Sequence, residues 1–181
     1  MEKKQETRLV NLVKAGEHDA MRHLMERYER EIFYYIYKMT GNVEDAKDMT
    51  QEVFIKVFKK ISGFNGRSTF RTWLYRIATN HTLNFLNRRP PSGPEEPLTW
   101  LSDPSPSSLE RLESSDLYQH VGSAIEKLPR QQKAIVTLRA REGMTYAEIA
   151  NILGCSIGNC KAAYHNAIIK LREIFKNDLI M

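Results

Sequence analysis

Six of the chain's seven prolines fall between Pro90 and Pro106, interleaved with serines, acids and Gly93. Proline fixes its own φ and lacks an N–H, so a stretch of this composition neither continues a helix nor builds a core. The chain therefore divides into two folded parts, residues 1–89 and 109–181, joined by a partly extended linker over 90–108. No apolar–polar alternation of useful strand length occurs in either part, whereas apolar residues recur at steps of three and four in both. That spacing predicts helices, and the fold class expected is all-α: two small helical bundles joined by a Pro/Ser-rich acidic linker.

Within the first part, Gly16 ends a short helix and Asp19 is expected to cap the next. Leu24, Met25, Tyr28, Ile32, Phe33, Ile36 and Tyr37 form the apolar stripe of that second helix. Gly41-Asn42 breaks it. A third helix over about 43–61 buries Ala46, Met49, Val53, Val57 and Ile61, and a fourth runs from about Ser68 to Asn87 after a loop marked by Gly63 and Gly66. In the second part Pro129 opens a helix, Gly143 closes one and Gly154 makes a tight turn.

Charge follows the same division. Residues 1–89 carry 17 Lys and Arg against 11 acids, residues 90–120 one against six, and residues 121–181 nine against five. Two basic modules flanking an acidic connector suit a nucleic-acid binder. No apolar run approaches the ~20 residues of a membrane span, and the opening Met-Glu-Lys-Lys-Gln-Glu has no apolar core behind it. Two cysteines are too few for a disulfide scaffold. A cytoplasmic protein is expected.

Three constellations carry chemistry. The first is Phe64–Arg89, with five arginines, no acid, and aromatics at Phe64, Phe70, Trp73, Tyr75 and Phe85. Arginines attract phosphates, rings hold unstacked bases, and Asn80, Asn84 and Asn87 both donate to and accept from base edges. It reads as a helix and leading loop that touch opened DNA, with Trp73 equally suited to the core.

The second is Thr145–Lys161, which fits a helix-turn-helix. Ala147, Ile149, Ala150, Ile152 and Leu153 pack a short helix, Gly154 turns, and Ser156 caps a second helix that leaves Asn159, Lys161, Ala162 and His165 outward. The third is Asp45, Asp48, Gln51 and Glu52 on one face of the third helix. Paired carboxylates there suit acid–base chemistry, a metal, a docking face or plain solvation. Without a nucleophile or histidine pair nearby, docking of a basic partner helix fits better than catalysis. Cys155, Cys160 and His165 resemble zinc ligands by type, yet Cys160 falls on the inward stripe and a fourth ligand is lacking. Core packing is expected of the cysteines, with no metal and no cofactor.

Taken together, Asp45-Ala-Lys-Asp-Met-Thr-Gln-Glu-Val-Phe and Phe64-Asn-Gly-Arg-Ser-Thr-Phe-Arg-Thr-Trp-Leu-Tyr-Arg-Ile-Ala-Thr-Asn resemble the extracytoplasmic-function (ECF) sigma factors, the smallest sigma-70-type subunits of bacterial RNA polymerase. The resemblance implies that Asp48, Gln51, Glu52 and Phe54 hold the polymerase clamp. It implies that the loop Phe64, Asn65, Gly66, Arg67, Ser68 and Thr69, with Asn80 and Asn84, captures a −10 base flipped from the non-template strand. Arg71, Arg76, Arg88 and Arg89 would then meet phosphates beside Trp73. The −35 surface would comprise Ser156, Gly158, Asn159, Lys161, Ala162 and His165.

By the same resemblance the partners are core RNA polymerase, promoter DNA and an anti-sigma factor, and the chain itself is no enzyme. A stand-alone helix-turn-helix regulator of duplex operators is the alternative. One departure stands out. Where many relatives carry two arginines on the recognition helix, this chain has Ala163 and Asn166, and Asn159 and Ala162 replace a Thr and a Ser. Weak or unusual −35 reading is expected.

Overall fold

A computed structural model describes residues 3–88 and 121–178 of the protein. Helix α1 (Lys3–Lys14) precedes the long α2 (His18–Thr40), then α3 (Val43–Lys60), a 3-10 turn (Ile61–Gly63) and α4 (Phe70–Arg88). After a short helical stretch over 121–126 come α5 (Arg130–Ala140), α6 (Tyr146–Leu153) and α7 (Ile157–Asp178). Among the described residues there is no strand. The linker 90–108 and the start of the second part lie outside the described residues.

The breaks have local causes. Gly41 adopts the left-handed conformation at φ +73 and returns its N–H to the Tyr37 carbonyl, a geometry that favours glycine. Asn42 then starts α3, its side chain accepting the Asp45 N–H at 2.8 Å. The entry into α2 differs from expectation. Glu17 occupies the cap position without a side-chain cap, and Asp19 lies inside the first turn, paired to Arg22 at 3.3 Å. An acid one turn in still favours the positive helix end, so the sequence signal is displaced rather than lost.

The two bundles share a core. Leu24, Ile32, Ile36, Val53, Val57, Leu74 and Ala78 in the first part are fully buried. The same cluster runs on through Ala134, Leu138, Ile149, Ile152 and Cys160 in the second. A smaller cluster of Ala124, Leu128, Val136, Ala167 and Leu171 completes the second bundle. Helix α6 packs directly on α4, and α5 on α2. Ala147 is exposed, not packed as its sequence neighbours suggested; the buried side of α6 is Ile149, Ala150 and Ile152.

Candidate nucleic-acid interface

The loop before α4 is shaped by its own polar side chains. Asn65 Oδ1 accepts the Arg67 N–H at 3.2 Å, and Gly66 between them sits at φ +73. Thr69 caps α4: its hydroxyl accepts the Thr72 N–H at 3.1 Å and its carbonyl the Trp73 N–H at 3.1 Å. Asn65, Gly66 and Arg67 are exposed, while Ser68 and Thr69 are half-buried. Phe64, only 9% exposed, is mostly a floor: its ring meets Phe70 and Trp73 at centroid distances of 6.1 and 5.2 Å. Lys14 donates to the Phe64 carbonyl and lies over the ring. Trp73 is half-buried against the same two rings, so much of its role is structural.

Along α4 the exposed positions form a single polar stripe. Arg76, Asn80, Asn84, Asn87 and Arg88 face outward, whereas Leu74, Tyr75, Ala78, Thr79 and Thr82 are buried. Steps of four and three at ~1.5 Å per residue make the stripe roughly 18 Å long. No acid interrupts it, because α4 has none. Beneath it Tyr35 and Tyr75 pack edge to face, and the Tyr35 hydroxyl and Thr79 Oγ1 lie 2.8 Å apart.

Arg71 departs from its expected place. It is not free for phosphate: Nε meets Glu31 at 3.3 Å, Nη2 meets Glu142 Oε2 at 2.8 Å, and Nη1 donates to the Glu142 carbonyl at 3.2 Å. The Tyr75 hydroxyl donates to the same Glu142 carboxylate. Burial lifts the Glu142 carboxyl above its ordinary pKa, against the pull of the Tyr75 hydrogen bond and the Arg71 charge. Thr72 and Glu148 add a contact at 3.4 Å. Buried Lys133 reaches from α5 to the Met39 carbonyl at 3.2 Å while pairing with Glu126 at 3.0 Å. The Glu142 and Glu148 bonds tie the approach to the helix-turn-helix to α4, and Lys133 ties α5 to the end of α2.

On α3, Asp48, Gln51 and Glu52 are exposed as expected. Phe54 is not: at 3% exposure it belongs to the core beside Val53 and Val57. A partner helix cannot reach its ring. The apolar residues that do face outward are Ile55 at 54% and Phe58 at 48%, which the sequence reading passed over. Their signal was available, since they lie four and seven residues after Gln51 on one helical face. Glu52 is also anchored to α4, with His81 Nε2 at 2.8 Å. Burial, followed by the nearby Lys56 charge, depresses the His81 pKa.

In the helix-turn-helix, Thr145 and Glu148 form a reciprocal capping box, Gly154 turns at φ +67, and Ser156 Oγ accepts the Asn159 N–H at 3.1 Å. Ser156, Gly158, Asn159, Lys161, Ala162 and His165 are all exposed, as expected, together with Ile157. Of the replaced positions, Asn166 is exposed and Ala163 half-buried. Cys160 is fully buried, and among the described residues no cluster of His, Cys, Asp and Glu could hold a metal. No described helix is long and apolar enough to cross a membrane.

Among the described residues the chain is all-helical, with a basic, acid-free α4 and a helix-turn-helix packed on it, and comparison with known proteins places it further. The Sigma-70 region 2 family matches residues 24–90 and the Sigma-70 region 4 family matches residues 119–171. The ECF RNA polymerase sigma-E factor of Haemophilus influenzae is 35% identical over 94% of this chain and 93% of its own. That of Escherichia coli K12 is 33% identical over 93% of this chain and 91% of its own.

Among solved structures, CnrH in complex with the cytosolic domain of CnrY matches at TM-score 0.72, with 21% identity over 96% of this chain and 99% of that one. Sigma factor RpoE in complex with the anti-sigma factor NepR from Bartonella quintana matches at 0.67, with 19% identity over 86% and 96%. These two share the fold. The chain belongs to the ECF sigma factors of RNA polymerase.

Proposed function

We propose that residues 1–89 dock core RNA polymerase and open the −10 region, and that residues 109–181 read the −35 element, with 90–108 as the connector. The observation that carries this reading is the outward stripe Arg76–Asn80–Asn84–Arg88 on an acid-free helix. Guanidinium groups neutralise phosphates, and carboxamides can read the Watson–Crick base edges that become reachable once strands separate. Capturing an unstacked base costs a few kcal/mol, so contacts made only to it favour opened over closed promoter. No catalytic constellation is needed, since the polymerase supplies the chemistry; the chain acts as an initiation factor in the cytoplasm. Docking falls to Asp48, Gln51 and Glu52, with Ile55 and Phe58 as apolar neighbours in place of Phe54. Two relatives by fold were solved bound to other proteins, CnrY and the anti-sigma factor NepR, which supports a protein regulator for this chain too.

The test is initiation by sigma-free core polymerase supplemented with the purified chain, on a pool of randomised promoters. Initiation at a defined promoter set is expected. An Asn80→Ala, Asn84→Ala double variant should bind core normally yet form at least ~10-fold fewer open complexes, each lost base contact being worth ~1–3 kcal/mol. Equal open-complex formation by the variant would remove α4 from the reading. A stand-alone regulator would instead bind duplex without polymerase.

On the −35 side, Asn159, Lys161, Ala162 and His165 present one cation and no arginine, so a weak contribution is expected. Footprints of the holoenzyme should show little −35 protection. Strong protection that disappears in Lys161→Ala would contradict the weak reading.

A further inference from the structure

Glu52 and Lys56 lie four residues apart on α3, the spacing at which a carboxylate and an ammonium ordinarily pair along a helix. That pair stays open: Lys56 Nζ stops 3.9 Å from Glu52 Oε2. The ammonium is taken instead by Nδ1 of His81, whose ring projects from α4. An ammonium only donates, so Nδ1 is the unprotonated nitrogen and Nε2 carries the ring proton. Nε2 in turn donates to Glu52 Oε2 at 2.8 Å. The imidazole in this arrangement is neutral. Its side chain is 15% exposed against 59% for that of Glu52, so a ring set into the bundle holds a carboxylate that stands in solvent. Burial first, and then the Lys56 charge, keep the His81 pKa below its ordinary value, in agreement with a neutral ring.

We infer that His81 is a positioning residue for polymerase docking: its neutral ring diverts Lys56 from Glu52 and fixes the carboxylate with its charge intact for a cation of the partner. The inference rests on α3 being the docking face, and it gives α4 a part in that contact. A neutral donor orients an anion without cancelling it. An ionised carboxylate has about four lone-pair sites, so acceptor capacity remains for an incoming guanidinium or ammonium. With the ring removed, Lys56 falls into the ordinary pairing and neutralises the acid, and Glu52 regains rotamers that association must freeze. Protonating the ring has a similar effect. Nδ1 can then no longer accept from Lys56, and an imidazolium rather than a neutral donor sits on Glu52. The charged groups acting on the ring are Glu52 and Lys56 from α3 and Arg88 from α4. Two of the three are cations, so an added proton makes the neighbourhood of Glu52 still less attractive to a basic partner. Docking should therefore weaken as pH falls through the His81 pKa, below the usual imidazole value of about 6.5.

The experiment measures affinity of the full-length protein for core polymerase from about pH 7.5 down to about 5.5. At the upper end His81→Leu should bind about 2- to 12-fold more weakly, the span expected for ordering one flexible side chain on association. His81→Gln sets an uncharged amide nitrogen where Nε2 stood, so it should bind nearly as the native protein does. It should also lack the part of the acid fall that belongs to His81, whereas any titration of the polymerase itself is common to both proteins. Adding Lys56→Gln to His81→Leu should recover part of the lost affinity, which a general loosening of α3 against α4 would not allow. Circular dichroism checks that each variant is folded, and the pH profile of His81→Gln decides alone if His81→Leu folds poorly. Native affinity in folded His81→Leu would overturn the inference, as would an acid fall in His81→Gln equal to the native one. Native affinity in Glu52→Gln would instead strike the docking role of Glu52 beneath it, and the inference with it.

Discussion

Reversing charge on the exposed face of α3, with Asp48→Lys and Glu52→Lys together, is expected to weaken binding to core polymerase by at least ~100-fold. Both side chains stand in solvent on one face, beside exposed Ile55 and Phe58. The face therefore joins acceptors for a basic partner to an apolar patch that association would desolvate. Charge pairs across such an interface couple by about 1.5 kcal/mol or more each, and like-charge juxtaposition costs several. The fold should survive, because neither substituted side chain contributes to the core beneath. Asp48 lies wholly outside it, and the exposed Glu52 contributes only pairings at the surface of the bundle, to His81 at 2.8 Å and Lys56 at 3.9 Å. Co-elution with core polymerase on gel filtration and circular dichroism of the isolated variant separate the two effects. Native affinity in the double variant would mean that α3 is not the docking element. Substituting Phe54 instead would unfold the bundle and say nothing about docking.

That contrast marks where the sequence is legible and where it is not. Glycine and asparagine at 41 and 42, glycine at 154 and serine at 156 each act on the backbone within four residues, so their effects are visible in a linear reading. The outward set on α7 followed from the 3.6-residue period because its apolar stripe is well spaced. On α3 the period was harder to phase. Val53 and Phe54 are adjacent and both point inward, and an aromatic within an otherwise acidic motif looks like part of the surface. Arg71 failed for another reason. Its partners Glu31 and Glu142 lie 40 and 71 residues away, and no local pattern distinguishes a tethered arginine from a free one. The proline-rich connector likewise argued for two independent bundles, whereas the shared core depends on which faces meet in space.

The tethering of Arg71 leads to the second large effect, a change of shape in Glu142→Ala. Elements at −10 and −35 lie about 25 base pairs apart, or ~85 Å of duplex at ~3.4 Å per pair. In the structure α6 of the helix-turn-helix rests directly on α4, so the two surfaces proposed to read these elements are far closer than that. The bundles must therefore part for one molecule to engage both elements. The 32 residues from 89 to 120 have enough contour, up to ~105–115 Å at ~3.3–3.6 Å each. Beside the shared apolar core, the polar ties that oppose parting converge on Glu142, which accepts from Arg71 and from the buried hydroxyl of Tyr75.

Without Glu142, Tyr75 in the closed form has no acceptor there, a deficit worth about 1–3 kcal/mol that water relieves once the bundles separate. Arg71 retains Glu31, which limits its share. A shift of roughly 2–3 kcal/mol moves the closed-to-open ratio by about 30- to 150-fold. Small-angle scattering of Glu142→Ala should show a larger radius of gyration than the native protein, with helix content unchanged. The variant should also form promoter complexes faster when added to core polymerase, because the step that separates the bundles is already taken. A native radius together with native kinetics would mean that the apolar contact between α4 and α6 alone holds the closed form. Opening would then have to come from polymerase binding energy at α3, not from release of this carboxylate.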